Sequence, residues 1–273
     1  MDYSQPIPFE ITDVVKDMSN EVYHSHGSEV ISSSFVKSVM KNGSVGHALV
    51  PFSGSKEALE FGTAFHDYME HDGELPKGGY AITDADRRTK EYKELKASKP
   101  DAIFLKSEKF ESLQQMHQNT VNNEGYKALW NFGSPVREWS VFATYNGFRY
   151  RVRFDLGFCD GGEDIDSLVA LADYKTCKSL KDFQADLERS VKYKSGWRYD
   201  IQAVFYSDML GVDPLNFYFV AVEKEAPYAT QVFGLSEYAI ENARRDIYTA
   251  MDMIADWKIE GETGVIRNEL VRI

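Results

Sequence analysis

Apolar residues recur with two different periods along the chain, and the switches between them mark out an order of helices and strands. Leu59, Phe61, Phe65 and Met69 return at near-helical spacing, which predicts a helix over 58–70. Phe110, Leu113, Met116 and Val121 predict a helical stretch over 107–130. Upstream, Ser33 or Ser34 is placed to cap a helix through Phe35, Val36 and Met40 that stops at Asn42-Gly43. Capping explains these serines better than a nucleophilic role. In the middle of the chain the period shortens to that of strands over 138–144, 148–158 and 168–176, with turns at Asn146-Gly147 and Asp160-Gly161-Gly162. Helices are expected again over 180–191 and 199–210, strands over 216–222 and 230–235, and a last helix over 236–257. This α-β-α-β-α order predicts an α/β fold.

Two stretches interrupt the pattern. Residues 1–30 carry Asp2, Glu10, Asp13, Asp17, Glu21 and Glu29 against Lys16 alone, and read as an irregular acidic lead-in to a single domain over 31–273. Residues 72–102 pass from a Gly/Pro-bearing stretch into a segment rich in Arg and Lys, expected to be exposed and partly mobile. No internal repeat or low-complexity tract is visible.

The chain has 273 residues, 43% of them hydrophobic, enough to bury a substantial core. Its formal net charge of −12 excludes a generally basic nucleic-acid binder, so any contact with phosphates must come from a local patch. Between Lys175 and Arg198, seven basic residues outnumber three acidic ones, as a DNA-facing patch or a solvated helical face would. Two cysteines, Cys159 and Cys177, have neither zinc nor iron–sulfur spacing, and a reduced cytoplasmic setting is the simplest expectation. No apolar run approaches the roughly 20 residues that span a bilayer, so no membrane role is expected. Gly54-Ser55-Lys56 lacks the GxxxxGK[ST] string of a phosphate loop and reads as a turn.

The chemistry gathers in the strands. Along Arg149-Tyr150-Arg151-Val152-Arg153-Phe154-Asp155, alternation puts Arg149, Arg151, Arg153 and Asp155 on one face and the apolar residues on the other. The arginines imply either an anionic partner or a surface strand pairing with remote acids. Asp173 and Lys175 share one face of the next strand at about 6.6 Å Cα spacing. With Asp155, Asp173 could give a hard divalent cation its carboxylate oxygens, and Lys175 could position or help deprotonate the attacking water, or offset charge building on the phosphate. As an isolated string, Asp-x-Lys describes a salt bridge equally well. His66 with Glu70, and Gln202 with Tyr206, are four apart on helices, so each pair shares a face. Either pair alone has an ordinary packing explanation.

Taken together, Gly62-Thr63-Ala64-Phe65-His66, Arg151-Val152-Arg153-Phe154-Asp155, Asp173-Tyr174-Lys175-Thr176 and the run Trp197 to Asp208 resemble, in order, the blocks of RecE-type (exonuclease VIII) nucleases. These belong to the PD-(D/E)XK superfamily, in its RecB-like QxxxY branch. Tyr23-His24 and Ile31-Ser32-Ser33-Ser34 resemble the entry to that domain, so the likeness covers roughly residues 20 to 260. Phe154 stands at the motif's proline, and Asp173 where Glu is frequent in the wider superfamily. The Cas4-like branch needs more cysteines for its iron–sulfur cluster than this chain has.

The resemblance implies a restriction-endonuclease-like core with a central mixed sheet flanked by helices. It implies that His66, Asp155, Asp173 and the Tyr174 carbonyl hold one or two Mg²⁺ ions, with Mn²⁺ as a substitute. It makes Lys175 the catalytic lysine, and gives Gln202, Tyr206 and, less firmly, Glu138 supporting roles. Arg149, Arg151, Arg153, Lys178 and Arg198 are the candidate DNA contacts. It further implies digestion of linear double-stranded DNA from 5′ ends, leaving 3′ tails for a single-strand-annealing recombinase. A ring-shaped homo-oligomer acting in DNA recombination and repair, in a bacterial or phage-infected cell, completes the expectation.

Overall fold

The computed structural model describes residues 2–50 and 54–260. Its N-terminal half is mostly helical: β1 (Glu10–Val15), α1 (Asn20–Ser25), β2 (Ile31–Ser32), α2 (Ser33–Asn42), α3 (Val45–Ala48), α4 (Lys56–Glu70), β3 (Tyr80–Ile82), α5 (Lys90–Ser98), β4 (Ile103–Leu105), α6 (Ser107–Asn122) and α7 (Glu124–Ala128). The strands β5 (Ser134–Arg137), β6 (Ser140–Tyr145), β7 (Phe148–Arg153), β8 (Leu156–Cys159) and β9 (Leu168–Cys177) follow. Then come α8 (Leu180–Tyr193), α9 (Tyr199–Leu210), β10 (Phe217–Glu223), β11 (Thr230–Phe233) and α10 (Glu237–Glu260).

The strands form a five-stranded mixed sheet in the order β11-β10-β9-β8-β5, a four-stranded sheet β1-β6-β7-β2, and the small pair β3-β4. Only the β9–β10 pairing in the five-stranded sheet is parallel, as expected when α8 and α9 supply the crossover between them. Asn146 and Gly147 both have left-handed φ, 49° and 78°, and close the β6–β7 hairpin as an Asn-Gly turn should. The run expected as one strand over 148–158 is broken at Phe154-Asp155, where the chain leaves the smaller sheet and enters the larger one. Phe154 is buried, and Asp155 turns the corner.

Side-chain alternation along β9 and β10 divides the core. Leu171, Phe217, Phe219 and Ala221 pack with α8, α9 and α10, whereas Ala170, Ala172, Tyr174, Val220 and Val222 pack with α4, α6 and α7. Helices therefore cover both faces of the larger sheet, giving the expected layered α/β fold with a PD-(D/E)XK-like core.

Several local expectations change. The acidic lead-in is not irregular: β1 pairs along β6, Ile7 is buried, and Phe9 packs against Tyr145, Tyr150 and Phe205. Ladder hydrogen bonds need no apolar side chain, so an edge strand can carry carboxylates to solvent. The lead-in is also tied down by Asp208, whose Oδ2 accepts from Ile7 N, and by Arg244, which donates to the Tyr3 and Ser4 carbonyls. The helix expected to be capped by Ser33 or Ser34 is capped by Ser32, whose hydroxyl accepts from Phe35 N. Leu59 is exposed rather than core, while Phe61, Phe65 and Met69 are buried. Asn123 ends α6 and caps α7, breaking the helical stretch expected over 107–130. The charged segment over 72–102 contains β3 and α5, with β4 following directly after it, and α5 buries no residue. Ser55 is the N-cap of α4, which accounts for Gly54-Ser55-Lys56. The last part of the expected 31–273 domain, 261–273, lies outside the described residues.

Arg198, expected to face DNA, is instead 1% exposed and committed to Asp200 and Asp246. It is the residue that starts α9, in a left-handed conformation with φ of 52°, and its ion pairs anchor that helix to α10. Arg198→Ala would leave Asp200 buried without its counter-charge and Asp246 with Lys194 alone, and is expected to cost about 3–5 kcal/mol. Urea unfolding checks this, and a loss below about 1 kcal/mol would mean that the network does not hold α9 in place.

Candidate active site

Strand β9 carries the first two functional side chains because of its pleat. With Tyr174 turned toward α4 and α6, its neighbours Asp173 and Lys175 face the opposite side, where α9 packs. There the Lys175 ammonium contacts Asp173 Oδ2, and Gln202 Nε2 on α9 donates to Asp173 Oδ1 at 2.6 Å. Asp173 is 4% exposed. Burial and then the charge of Asp155 raise its pKa against the pull of Lys175. For Lys175 burial works the other way, but Asp173 and Asp155 outweigh it and push its pKa up. Lys175 is therefore a firmly charged ammonium here.

Asp155 arrives from the β7–β8 corner. Its Oδ2 accepts from Tyr174 N at 2.8 Å and lies 3.2 Å from Nδ1 of His66 on α4. Burial alone would lower the His66 pKa, but the charge and hydrogen bond of Asp155 dominate and lift it to about 9. Burial alone would raise the pKa of Asp155, and His66 followed by Lys175 brings it below the usual carboxylate value. Four residues far apart in sequence thus form one charge-balanced cluster.

An open cleft of about 990 Å³ lies against the cluster, with His66, Glu70, Glu138, Arg153, Asp155 and Tyr206 among its walls. Glu138 sits at the β5–β6 corner with a left-handed φ of 55°. Burial first, then Asp155 and Glu70, push its pKa up to about 8. Tyr206, one turn beyond Gln202, is buried and meets the Ser33 side chain. The structure thus brings together His66, Glu138, Asp155, Asp173, Lys175, Gln202 and Tyr206.

The candidate DNA contacts are not brought together in this way. Arg151 and Arg153 hold the N-terminal segment: Arg153 donates to Ser140, Asn20 and the Met18 carbonyl, Arg151 donates to the Gly27 carbonyl, and both stack on Tyr23. Arg151 is 5% exposed and Arg153 partly buried, and both border the cleft while committed to these contacts. Arg149 and Lys178 are exposed but line no part of the cleft, and Arg198 is buried in its ion pairs. Sequence reasoning missed Lys37 on α2, whose Nζ donates to Gln202 Oε1 at 3.1 Å. A signal was present. Lys37 lies on the 33, 36, 40 stripe of its helix, where a lysine among inward-facing residues marks a charge directed into the protein. Tyr199, whose ring lies 5.6 Å from Lys175 Nζ, was also missed.

Among the described residues, no three His, Cys, Asp or Glu side chains form a ready-made metal cage. The donor chemistry nevertheless fits a hard cation. Asp173 is a buried and Asp155 a partly buried carboxylate, and their mutual repulsion contributes to the raised pKa of Asp173. Asp173 Oδ2 has no hydrogen bond of good geometry, only the ammonium against it. Carboxylate oxygens with an adjacent backbone carbonyl are the ligand type that Mg²⁺ takes.

Residues 32–264 match the family model described as a PDDEXK-like domain of unknown function (DUF3799). Among solved structures, the crystal structure of a "Putative exonuclease" from Eubacterium rectale aligns with 91% of this chain and 88% of that chain, at a TM-score of 0.57 and 16% identity. At that identity the likeness is one of fold. No curated protein matches the chain at a significant level.

The raised pKa of Glu138 has a measurable sign. A carboxyl whose folded pKa is about 8 against 4.5 adds stability below pH 4.5, and that contribution is lost as pH rises through about 8. Glu138→Gln stays neutral throughout, so in chelator the variant should melt increasingly above the wild type across that window. A difference in melting temperature that does not change with pH would refute the assignment.

Proposed function

The chain belongs to the PDDEXK-like domain family, and on that footing we propose that it is a metal-dependent deoxyribonuclease that hydrolyses phosphodiester bonds at the ends of linear double-stranded DNA. The observation that carries this reading is the meeting of Asp155 with the Asp173–Lys175 pair, with His66 and Gln202 holding one carboxylate each. A phosphodiester brings negative charge, and the cluster offers buried acids for a cation beside a permanent ammonium.

Asp155, Asp173 and, once it has given up its proton, His66 would hold Mg²⁺, or Mn²⁺ in its place. The Tyr174 carbonyl joins them as a candidate ligand because, in a strand, a residue's C=O faces the same edge as its N–H, which here points to Asp155. What one or two such ions supply is Lewis acidity: a more acidic water and compensation of phosphate charge. The rest falls to the chain. The water oxygen bonds to phosphorus as the bond to the leaving sugar oxygen breaks, and that oxygen takes up a proton. Lys175, held protonated by two carboxylates, serves as a charge and hydrogen-bond donor to the phosphate rather than as the base. Gln202 keeps Asp173 in place, and the protonated Glu138 can donate a proton toward the cleft near neutral pH.

Within this reading we place the chain with the RecE-type exonucleases of the QxxxY branch, since Gln202 and Tyr206 occupy one face of α9 beside the cluster. Resection from 5′ ends, supply of 3′ tails to a strand-annealing recombinase, and a ring-shaped homo-oligomer belong to the same proposal. So does a cytoplasmic setting; no described helix is long and apolar enough to cross a membrane.

Two measurements test the proposal. Asp173→Asn should abolish Mg²⁺-dependent release of nucleotides from linear duplex while retaining a cooperative thermal transition; wild-type rates in this variant would remove Asp173 from the chemistry. With end-labelled linear duplex and covalently closed circles as substrates, the wild type should release the 5′ label first and leave the circles intact. Cleavage of the circles would make it an endonuclease.

A further inference from the structure

Gln202 stands between two groups that dictate the orientation of its amide. Its Nε2 donates to Asp173 Oδ1 at 2.6 Å, and its Oε1 accepts from Lys37 Nζ at 3.1 Å. A carboxylate only accepts and an ammonium only donates. A flipped amide would therefore set oxygen against carboxylate and NH₂ against ammonium, losing both hydrogen bonds. Held at one end, a glutamine side chain still turns about its χ angles; held at both, it is a strut.

The setting of Lys37 shows that it is not in place for an ion pair. It is partly buried, and among the described residues no carboxylate lies within salt-bridge distance of its Nζ. The Tyr199 ring lies between two ammonium groups, 5.8 Å from Lys37 Nζ and 5.6 Å from Lys175 Nζ. Burial, and then the neighbouring Lys175 charge, bring the Lys37 pKa down to about 8. A lysine kept in so unfavourable a place for its charge needs a function that its one short hydrogen bond supplies.

We propose that Lys37 is a positioning residue of the candidate active site: through Gln202 it fixes Asp173 Oδ1, so that Oδ2 is the oxygen left facing Lys175. The inference rests on the nuclease reading for its kinetic consequence, though the strut itself does not depend on it. Lys37 does not touch the reacting atoms and acts through a chain of two hydrogen bonds.

The test compares wild type, Lys37→Met, Gln202→Met, the double variant and Lys37→Arg, each checked for a cooperative melt. Methionine preserves length without a hydrogen-bonding group. On linear duplex with Mg²⁺, each methionine variant should lose about 10-fold in kcat with KM within about twofold. The double variant should be no worse than the poorer single one, because both break the same chain. Lys37→Arg, which keeps a donor, should recover most of the loss. Multiplicative losses in the double variant, or a loss appearing in KM, would overturn the proposal in favour of direct contact between Lys37 and DNA. A second readout needs no activity. In ¹⁵N-labelled protein the Gln202 side-chain NH₂ signals, assigned by their disappearance in Gln202→Met, should be protected from solvent exchange and lose that protection in Lys37→Met. Unchanged protection would sink the strut, whereas an inactive wild type with the expected loss of protection would sink only the nuclease reading.

Discussion

Two carboxylates of like charge held largely out of water, buried Asp173 and partly buried Asp155, set the condition that the packing around them has to meet. Taking either out of water costs several kcal/mol unless opposite charge and hydrogen bonds replace the lost hydration. The protein answers with His66 and the Tyr174 amide for Asp155, and with Lys175 and Gln202 for Asp173. The partners come from three elements, so α4, β9, α9 and the β7–β8 corner that carries Asp155 must all reach their final positions before the cluster is neutral. Under the proposed function, a cation and a phosphate would enter this balance together.

The packing supplies the rigidity that such balance requires. Because β9 buries one face toward α4 and α6 and the other toward α8 and α9, Asp173 and Tyr174 are locked to opposite sides of a central strand. The start of α9 is pinned by Arg198 to Asp200 and Asp246, and its other end by Asp208 to Arg244. Gln202 and Tyr206 sit between these two anchors, on a helix that is buried along its length. Buried ion pairs are weak contributors to net stability, so their value here is better understood as fixing the register of α9 against β9.

The N-terminal segment extends the same logic. Its strand β1 completes the smaller sheet, and Arg151 and Arg153 of β7 hold residues 18–27 beside the cleft through Tyr23, Asn20 and backbone carbonyls. Arginines that look on paper like a surface for phosphates are largely spent on shaping the wall of the cavity. Both retain a place on that wall, and Arg153, within 3.9 Å of Glu138, links it to the acidic cluster.

Local periodicity was enough to place many of the elements and to group several candidate site residues on common faces. Period-two alternation put Asp173 and Lys175 on one face, helical spacing put Gln202 and Tyr206 on another, and Asn146-Gly147 specified its hairpin, because each depends only on neighbours along the backbone. Tertiary structure decided which charges meet. Whether a lysine or arginine faces an acid or a buried amide depends on partners 48 to 165 positions away in the chain, as Arg198 with Asp246 and Lys37 with Gln202 show. No local period encodes that distance. The break at Phe154-Asp155, the order in the acidic N-terminus and the strut from Lys37 were decided by packing, since long-range contact and burial set the free energy of a charge far more than its sequence neighbours do.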